Sequence, residues 1–353
     1  VQQVIKYLGS KRLLTSVLGD IAAAVDARTA VDLFTGTTRV AQEFKRRGIE
    51  VTAVDSATYS DVLAQCYIAT DATGVDKDEL SETLAELSAL PGQAGYFTET
   101  FCVASRYFQP KNGARVDAIR DAIEARYLES ALYPVLLTSL MLAADRVDST
   151  TGLQMAYLKQ WAARAHNDLD LRIPELLAGP GHSMRGDAMS LVDEIGHVDL
   201  AYLDPPYNQH RYFTNYHVWE TLMRWDSPAH YGIACKRIDA HDDETHSPFN
   251  SKPAMPAALR SVIRRANADV VVVSYNDESW VTAAEITQWL YDAGHAAVAL
   301  LAFDSKRYVG AQIGIHNPAG DRVGQISHLR NTEYIFVAGA TDRVEAATRS
   351  LGR

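Results

Sequence analysis

Six short apolar runs limit what this chain can fold into: TAVDLF (29–34), VTAVDS (51–56), HVDLAYL (197–203), DVVVVSYN (269–276), AAVALLAF (296–303) and EYIFVAG (333–339). Each is too short for a buried helix, and most are followed by a stretch with helical periodicity, so they read as interior strands of a mostly parallel sheet crossed by helices. The crossing helices are expected from the first glycine turn to about residue 47, over 59–90 with a break at Thr73-Gly74, and near 215–225, 254–266 and 280–293. Between the last two runs, residues 304–330 have no clear helical period, which allows the final strand to run antiparallel. Loops of that length usually carry function.

The rhythm is interrupted once. PGQAG at 91–95 is a loop signal, and from 96 to about 182 aromatic and basic residues mix, with helical patterns near 114–129, 131–146 and 152–165 and a turn at Asn112-Gly113. The expected organisation is therefore a core formed by 1–90 and 183–353, with 91–182 as an inserted helical lobe.

At 353 residues the chain can bury a large core, and 47% hydrophobic with 22% charged residues excludes disordered and fibrous architectures. Its three cysteines, Cys66, Cys102 and Cys235, are scattered and form no CxxC pair, which argues against a disulfide framework or a cysteine-rich zinc site. The most apolar stretch, 132–144, contains Pro134 and is shorter than the roughly 20 residues a membrane span needs. A cytoplasmic chain without membrane anchor or metal centre is the expectation. Against a polyanionic partner stands a net charge of −10, although nucleic-acid binding needs only a local basic face.

The chemistry concentrates at Asp204-Pro205-Pro206-Tyr207, directly after the run VDLAYL. In open α/β sheets ligands bind at the carboxyl ends of the strands. Two consecutive prolines fix the backbone and remove two N–H donors, leaving a carboxylate and carbonyl oxygens as acceptors. Such a set matches the two N–H bonds of an exocyclic amine and draws its nitrogen lone pair out of conjugation, making it nucleophilic. Tyr207 supplies a face for the ring that carries the amine. A second constellation is Asp32-Leu33-Phe34-Thr35-Gly36-Thr37-Thr38, a strand-to-helix turn in which Gly36 permits close approach of a ligand. With Asp55 ending the next strand, acids stand where an ammonium and ribose hydroxyls would be held, but the GxGxxG dinucleotide pattern is absent.

Taken together, these motifs resemble the Dam-like, D12-class (α-group) N6-adenine DNA methyltransferases, over most of the chain. Lys6-Tyr7-Leu8-Gly9-Ser10-Lys11 looks like that family's N-terminal cofactor motif, DLFTGTT its glycine motif, Gly186-Asp187 its cofactor-adenine motif and DPPY its catalytic motif, in the α-group order. The stretches ADRVDSTTGLQMAYLKQW (144–161) and NYHVWETL (215–222) look most like modification methyltransferases of type IIS restriction systems. One departure is Thr38, where the family commonly has a second glycine.

The resemblance implies a Rossmann-like seven-stranded sheet and S-adenosylmethionine as cofactor. Tyr7, Lys11, Asp32, Phe34, Gly36, Asp55, Asp187 and Asp204 would lie at the cofactor, while Asp204, Pro205, Pro206 and Tyr207 would hold the target base. It further implies double-stranded DNA as partner, with the adenine flipped out, and a companion restriction endonuclease. Contacts elsewhere must compensate for the unstacking; Arg106, Lys111 and Arg115 in the lobe, Arg211 after the catalytic loop, and Lys306 and Arg307 in 304–330 are the candidates. RNA adenine or another exocyclic amine is the competing substrate, and a non-catalytic cofactor-binding subunit the competing role. His241-Asp242-Asp243-Glu244-Thr245-His246 lacks helical zinc-site spacing and reads as a solvated loop.

Overall fold

The structure, a computed structural model, describes residues 5–6, 14–206, 211–277, 279–306 and 330–351. Its strands are β1 (Thr29–Asp32), β2 (Glu50–Asp55), β3 (Gly181–Arg185), β4 (Val198–Leu203), a short hairpin β5 (His230–Tyr231) and β6 (Lys236–Arg237), β7 (Ala268–Asn276), β8 (Ala297–Lys306) and β9 (Arg330–Gly339). The helices are α1 (Thr15–Ala24), α2 (Arg39–Arg46), α3 (Thr58–Ala64), α4 (Lys77–Ala89), α5 (Tyr96–Thr98), α6 (Pro110–Tyr127), α7 (Tyr133–Arg146), α8 (Ala188–Leu191), α9 (Tyr212–Asn215), α10 (His217–Arg224), α11 (Met255–Arg265) and α12 (Ala283–Asp292), with a last helix over Thr341–Leu351. No helix among the described residues is long and apolar enough to cross a membrane.

Seven strands form one mixed sheet in the order β3-β2-β1-β4-β7-β9-β8. The pairs β2–β3, β1–β4 and β4–β7 are parallel, and β9 runs antiparallel to both β7 and β8. Burial explains the composition: Val270, Val271, Val272 and Val273 of β7 are all fully buried, as a strand covered on both faces requires.

The chain divides into two compact units. One comprises Val1–Gly19, Phe34–Ala188 and His210–Ser247, and its core is aromatic: Phe97, Phe101, Tyr107, Phe108 and Trp219 are buried, with Phe97 and Phe101 edge to face at 5.1 Å. The other comprises Asp20–Leu33, Met189–Gln209 and Pro248–Arg353; there Leu259, Val262, Ile286 and Leu290 from α11 and α12 and Ile335 and Phe336 from β9 are buried.

Three details depart from the sequence reading. The seventh strand, β3, is Gly-His-Ser-Met-Arg, a half-exposed edge strand without an apolar run. Its Gly181 is required by contact: a Cβ there would lie 2.5 Å from the Ile68 carbonyl oxygen and 3.1 Å from that of Val51. The helix expected over 152–165 is absent apart from a 3-10 turn at Ala163–His166. The backbone there bonds to distant segments, with Gln154 N–H donating to Asn215 and Leu158 N–H to Ser149, and Gly152 sits at φ 103°. Finally, Asn112 and Gly113 form no turn between elements but lie in the first turn of α6, where a Cβ on Gly113 would meet the Cys102 sulfur at 2.3 Å and Asn112 bonds Asn167 and Leu169.

Candidate active site

Asp204 is the first residue past β4 and is half-buried; Pro205 behind it is buried. Parallel pairing sets Tyr202 opposite Asp32 of β1 and opposite Val272 of β7, and Leu33 N–H donates to the Tyr202 carbonyl at 3.1 Å. The acids at 32 and 204 therefore leave adjacent strands at one carboxyl edge. Asp32 is 1% exposed, so it stands behind that edge and not on its surface. The Tyr202 hydroxyl, 2.9 Å from Ser274 Oγ, ties β4 to β7 beneath the loop.

A second carboxyl edge is built by β2 and β3. Gly36, at φ 51°, turns the chain so that its N–H donates to Asp55 Oδ2 at 2.8 Å, while Ala57 N–H donates to Oδ1 at 3.0 Å. Burial pushes the Asp55 carboxyl above its ordinary range, against the lowering effect of those two bonds and one from Ser56. Three backbone donors leave the carboxylate one further acceptor site for a hydroxyl donor. Gly186 N–H donates to the Asp55 carbonyl at 2.9 Å, which sets the half-buried Asp187 at the end of β3 beside the end of β2. Phe34 is half-buried at the start of the same glycine turn.

Thr38, the N-cap of α2, is in the left-handed region at φ 61°, ψ 12°. That conformation favours glycine, and a β-branched residue in it is strained. Here the hydroxyl is used: it donates to the Thr37 carbonyl at 2.7 Å and accepts from Gln42 Nε2 at 2.8 Å.

Glu220 was not among the residues singled out from the sequence. It is 3% exposed and accepts from Thr58 N–H at 3.0 Å, Thr58 Oγ1 at 2.6 Å and Tyr59 N–H at 3.4 Å. It thereby caps α3, whose first residue follows Asp55 by three positions. Desolvation raises its carboxyl, opposed by these bonds. An acid inside the apolar helix VWETL was the available signal.

Four of the basic candidates, Arg106, Lys111, Arg115 and Arg211, have partners within the chain. Arg106 lies over the Trp161 ring at 4.8 Å and donates to the Lys159 carbonyl at 2.9 Å. Lys111 pairs with Asp168 at 2.6 Å, and Arg115 donates to the Ser88 carbonyl at 2.8 Å. Arg211 donates to His246 Nε2 at 2.6 Å, so the expected solvated loop 241–246 contributes an acceptor for it. Tyr7, Lys11, Tyr207 and Arg307 lie outside the described residues, and Lys306 is the last residue of β8.

An open, largely parallel sheet with acids at its carboxyl edge and an Asp-Pro-Pro loop after a central strand defines a Rossmann-like group-transfer enzyme. Residues 7–287 match the D12 class N6 adenine-specific DNA methyltransferase family, and the chain belongs to it. It is 30% identical over 298 residues to the type II methyltransferase M.NlaIII of Neisseria lactamica, covering 80% of this chain and 86% of that protein. It is 30% identical to modification methylase StsI of Streptococcus sanguinis and 29% to type II methyltransferase M.FokI of Planomicrobium okeanokoites, over 81% and 82% of this chain. In those two cases it spans about half of the relative's length, 46% and 47%.

Proposed function

We propose that this chain transfers a methyl group from S-adenosylmethionine to N6 of an adenine flipped out of a specific duplex DNA sequence, as the modification partner of a restriction endonuclease. The observation that carries the reading is the placement of Asp204 at the end of β4, in register with β1 and β7, within a chain of the D12 family.

The residues present fit the cofactor. Asp55 and Asp187, half-buried acceptors at the ends of adjacent strands, suit ribose hydroxyls and an adenine amine, and the Gly36 turn beside them leaves backbone close to a ligand. Tyr7, Lys11, Phe34 and Asp32 complete the proposed set. When bound, the cofactor supplies an activated methyl group. Asp204 and the proline-flanked carbonyls would hold the two N–H bonds of the target amine, keep its lone pair out of conjugation with the ring and stabilise the positive charge that develops on nitrogen until one N–H proton is lost. Tyr207 stacks on the extruded base. Arg106, Lys111, Arg115, Arg211, Lys306 and Arg307 are assigned to DNA, with residues 91–182 as the recognition lobe.

Transfer of tritiated methyl groups to duplex DNA, structured RNA and a no-acceptor control tests the substrate. Label in DNA alone, with N6-methyladenine at one recurring sequence in DNA from an expressing host, is the expected result. Label in RNA alone would overturn it.

A further inference from the structure

The stretches 144–161 and 215–222 meet at one side chain. Gln154 is 3% exposed. Its Oε1 accepts from Val218 N–H at 2.9 Å and Trp219 N–H at 3.4 Å, its backbone N–H donates to the Asn215 carbonyl at 2.9 Å, and its carbonyl accepts from His217 Nε2 at 2.9 Å and the Tyr107 hydroxyl at 2.6 Å. α10 has no side-chain cap from its own N-cap residue, Tyr216, so the amide of Gln154 takes over that task from a remote segment. The bond at 2.9 Å requires the Nε2–H tautomer of His217.

The bonds to Asn215, His217, Val218 and Trp219 fall eight to twelve residues past Tyr207. β4 fixes the chain on the N-terminal side of the Asp-Pro-Pro loop. On the C-terminal side the Phe213 ring lies against the Arg237 guanidinium at 5.9 Å, and the start of α10 is held by bonds from Gln154. We propose that Gln154 is a positioning residue for methyl transfer: it touches neither substrate nor cofactor, and sets where the segment leaving the catalytic loop is tied down. The inference rests on the methyltransferase reading above.

The test compares Gln154→Asn, which keeps the amide but withdraws it by one methylene, with Gln154→Glu, which keeps an acceptor at the same reach. For each, kcat and KM for duplex DNA, cofactor affinity by calorimetry and the melting temperature are measured. The expected result is a fall in kcat of about 100-fold for Gln154→Asn, the size of a misplacement by roughly 1 Å, with cofactor affinity unchanged. Gln154→Glu should recover most of kcat. Equal activity of Gln154→Asn and wild type overturns the proposal. So does a loss of cofactor affinity in step with activity, or failure of Gln154→Glu to recover kcat while the fold is retained. Wild-type protein that methylates no DNA would instead remove the reading on which the inference stands.

Discussion

Thr38 shows how a single residue can oppose its own backbone. Holding a β-branched side chain at φ 61° costs about 1–3 kcal/mol, yet removing the hydroxyl strands the buried Gln42 amide at a similar cost. Thr38→Gly alone should therefore change stability by under about 1 kcal/mol, whereas in a Gln42→Leu background it should stabilise by about 1–2 kcal/mol. Urea unfolding of the four variants reads both numbers, and additive effects would refute the coupling. At the catalytic loop, Asp204→Ala should abolish transfer and leave cofactor binding measurable, because the carboxylate acts on the amine; turnover within about tenfold of wild type would remove it from the mechanism. His217 adds a pH dependence. Burial pushes its imidazole down from 6.5 to about 3, so the folded chain refuses a proton that the unfolded chain accepts. The stability this gives is fully present above 6.5 and is lost as pH falls toward 3. About 2 kcal/mol should be gone by about pH 5, and His217→Gln should remove that part of the slope. Urea midpoints across that range decide it.

At the scale of elements, legibility followed apolar content. The runs that became β1, β2, β4, β7, β8 and β9 were readable because each carries a buried apolar stretch. β3 was not, since an edge strand with exposed His182 and Arg185 shows no run. The absent helix over 152–165 has the opposite cause. Its sequence has helical periodicity, but the backbone bonds of Gln154 to remote Asn215 and of Leu158 to Ser149 outweigh local propensity. Candidate site residues followed the same rule: Asp55 and Asp204 are placed by the strands they end, whereas Glu220 and Gln154 cap helices across long sequence separations that no local pattern records. Gly181→Ala tests the edge. With a Cβ 2.5 Å from a backbone oxygen, β3 must shift, and a loss of about 1–3 kcal/mol with weakened cofactor binding through Asp187 is expected. Unchanged melting would mean that the edge yields freely.

For the whole molecule the question is how a chain of net charge −10 holds a polyanion. Charge averaged over the surface is the wrong quantity, since the salt dependence of binding counts phosphates neutralised locally. Lys111 is half exposed and paired with Asp168, Arg106 rests on Trp161, and Arg115 uses one donor on Ser88. A guanidinium has five N–H donors, so a single internal bond holds the side chain in place and leaves others for phosphate. If all three contact phosphates, replacing them together with alanine should flatten the slope of log K against log salt by about 0.9 per lost contact and weaken binding to all sequences alike. Base reading by the same residues would instead relax sequence preference with little change in slope. Lys111 offers the sharpest single comparison, because Asp168 competes with phosphate for its ammonium. Asp168→Asn should strengthen DNA binding at low salt, an effect that Lys111→Ala in the same background should cancel. Fluorescence anisotropy over a salt series measures each slope, and a triple variant that matches wild type at every salt concentration would assign DNA contact to other surfaces.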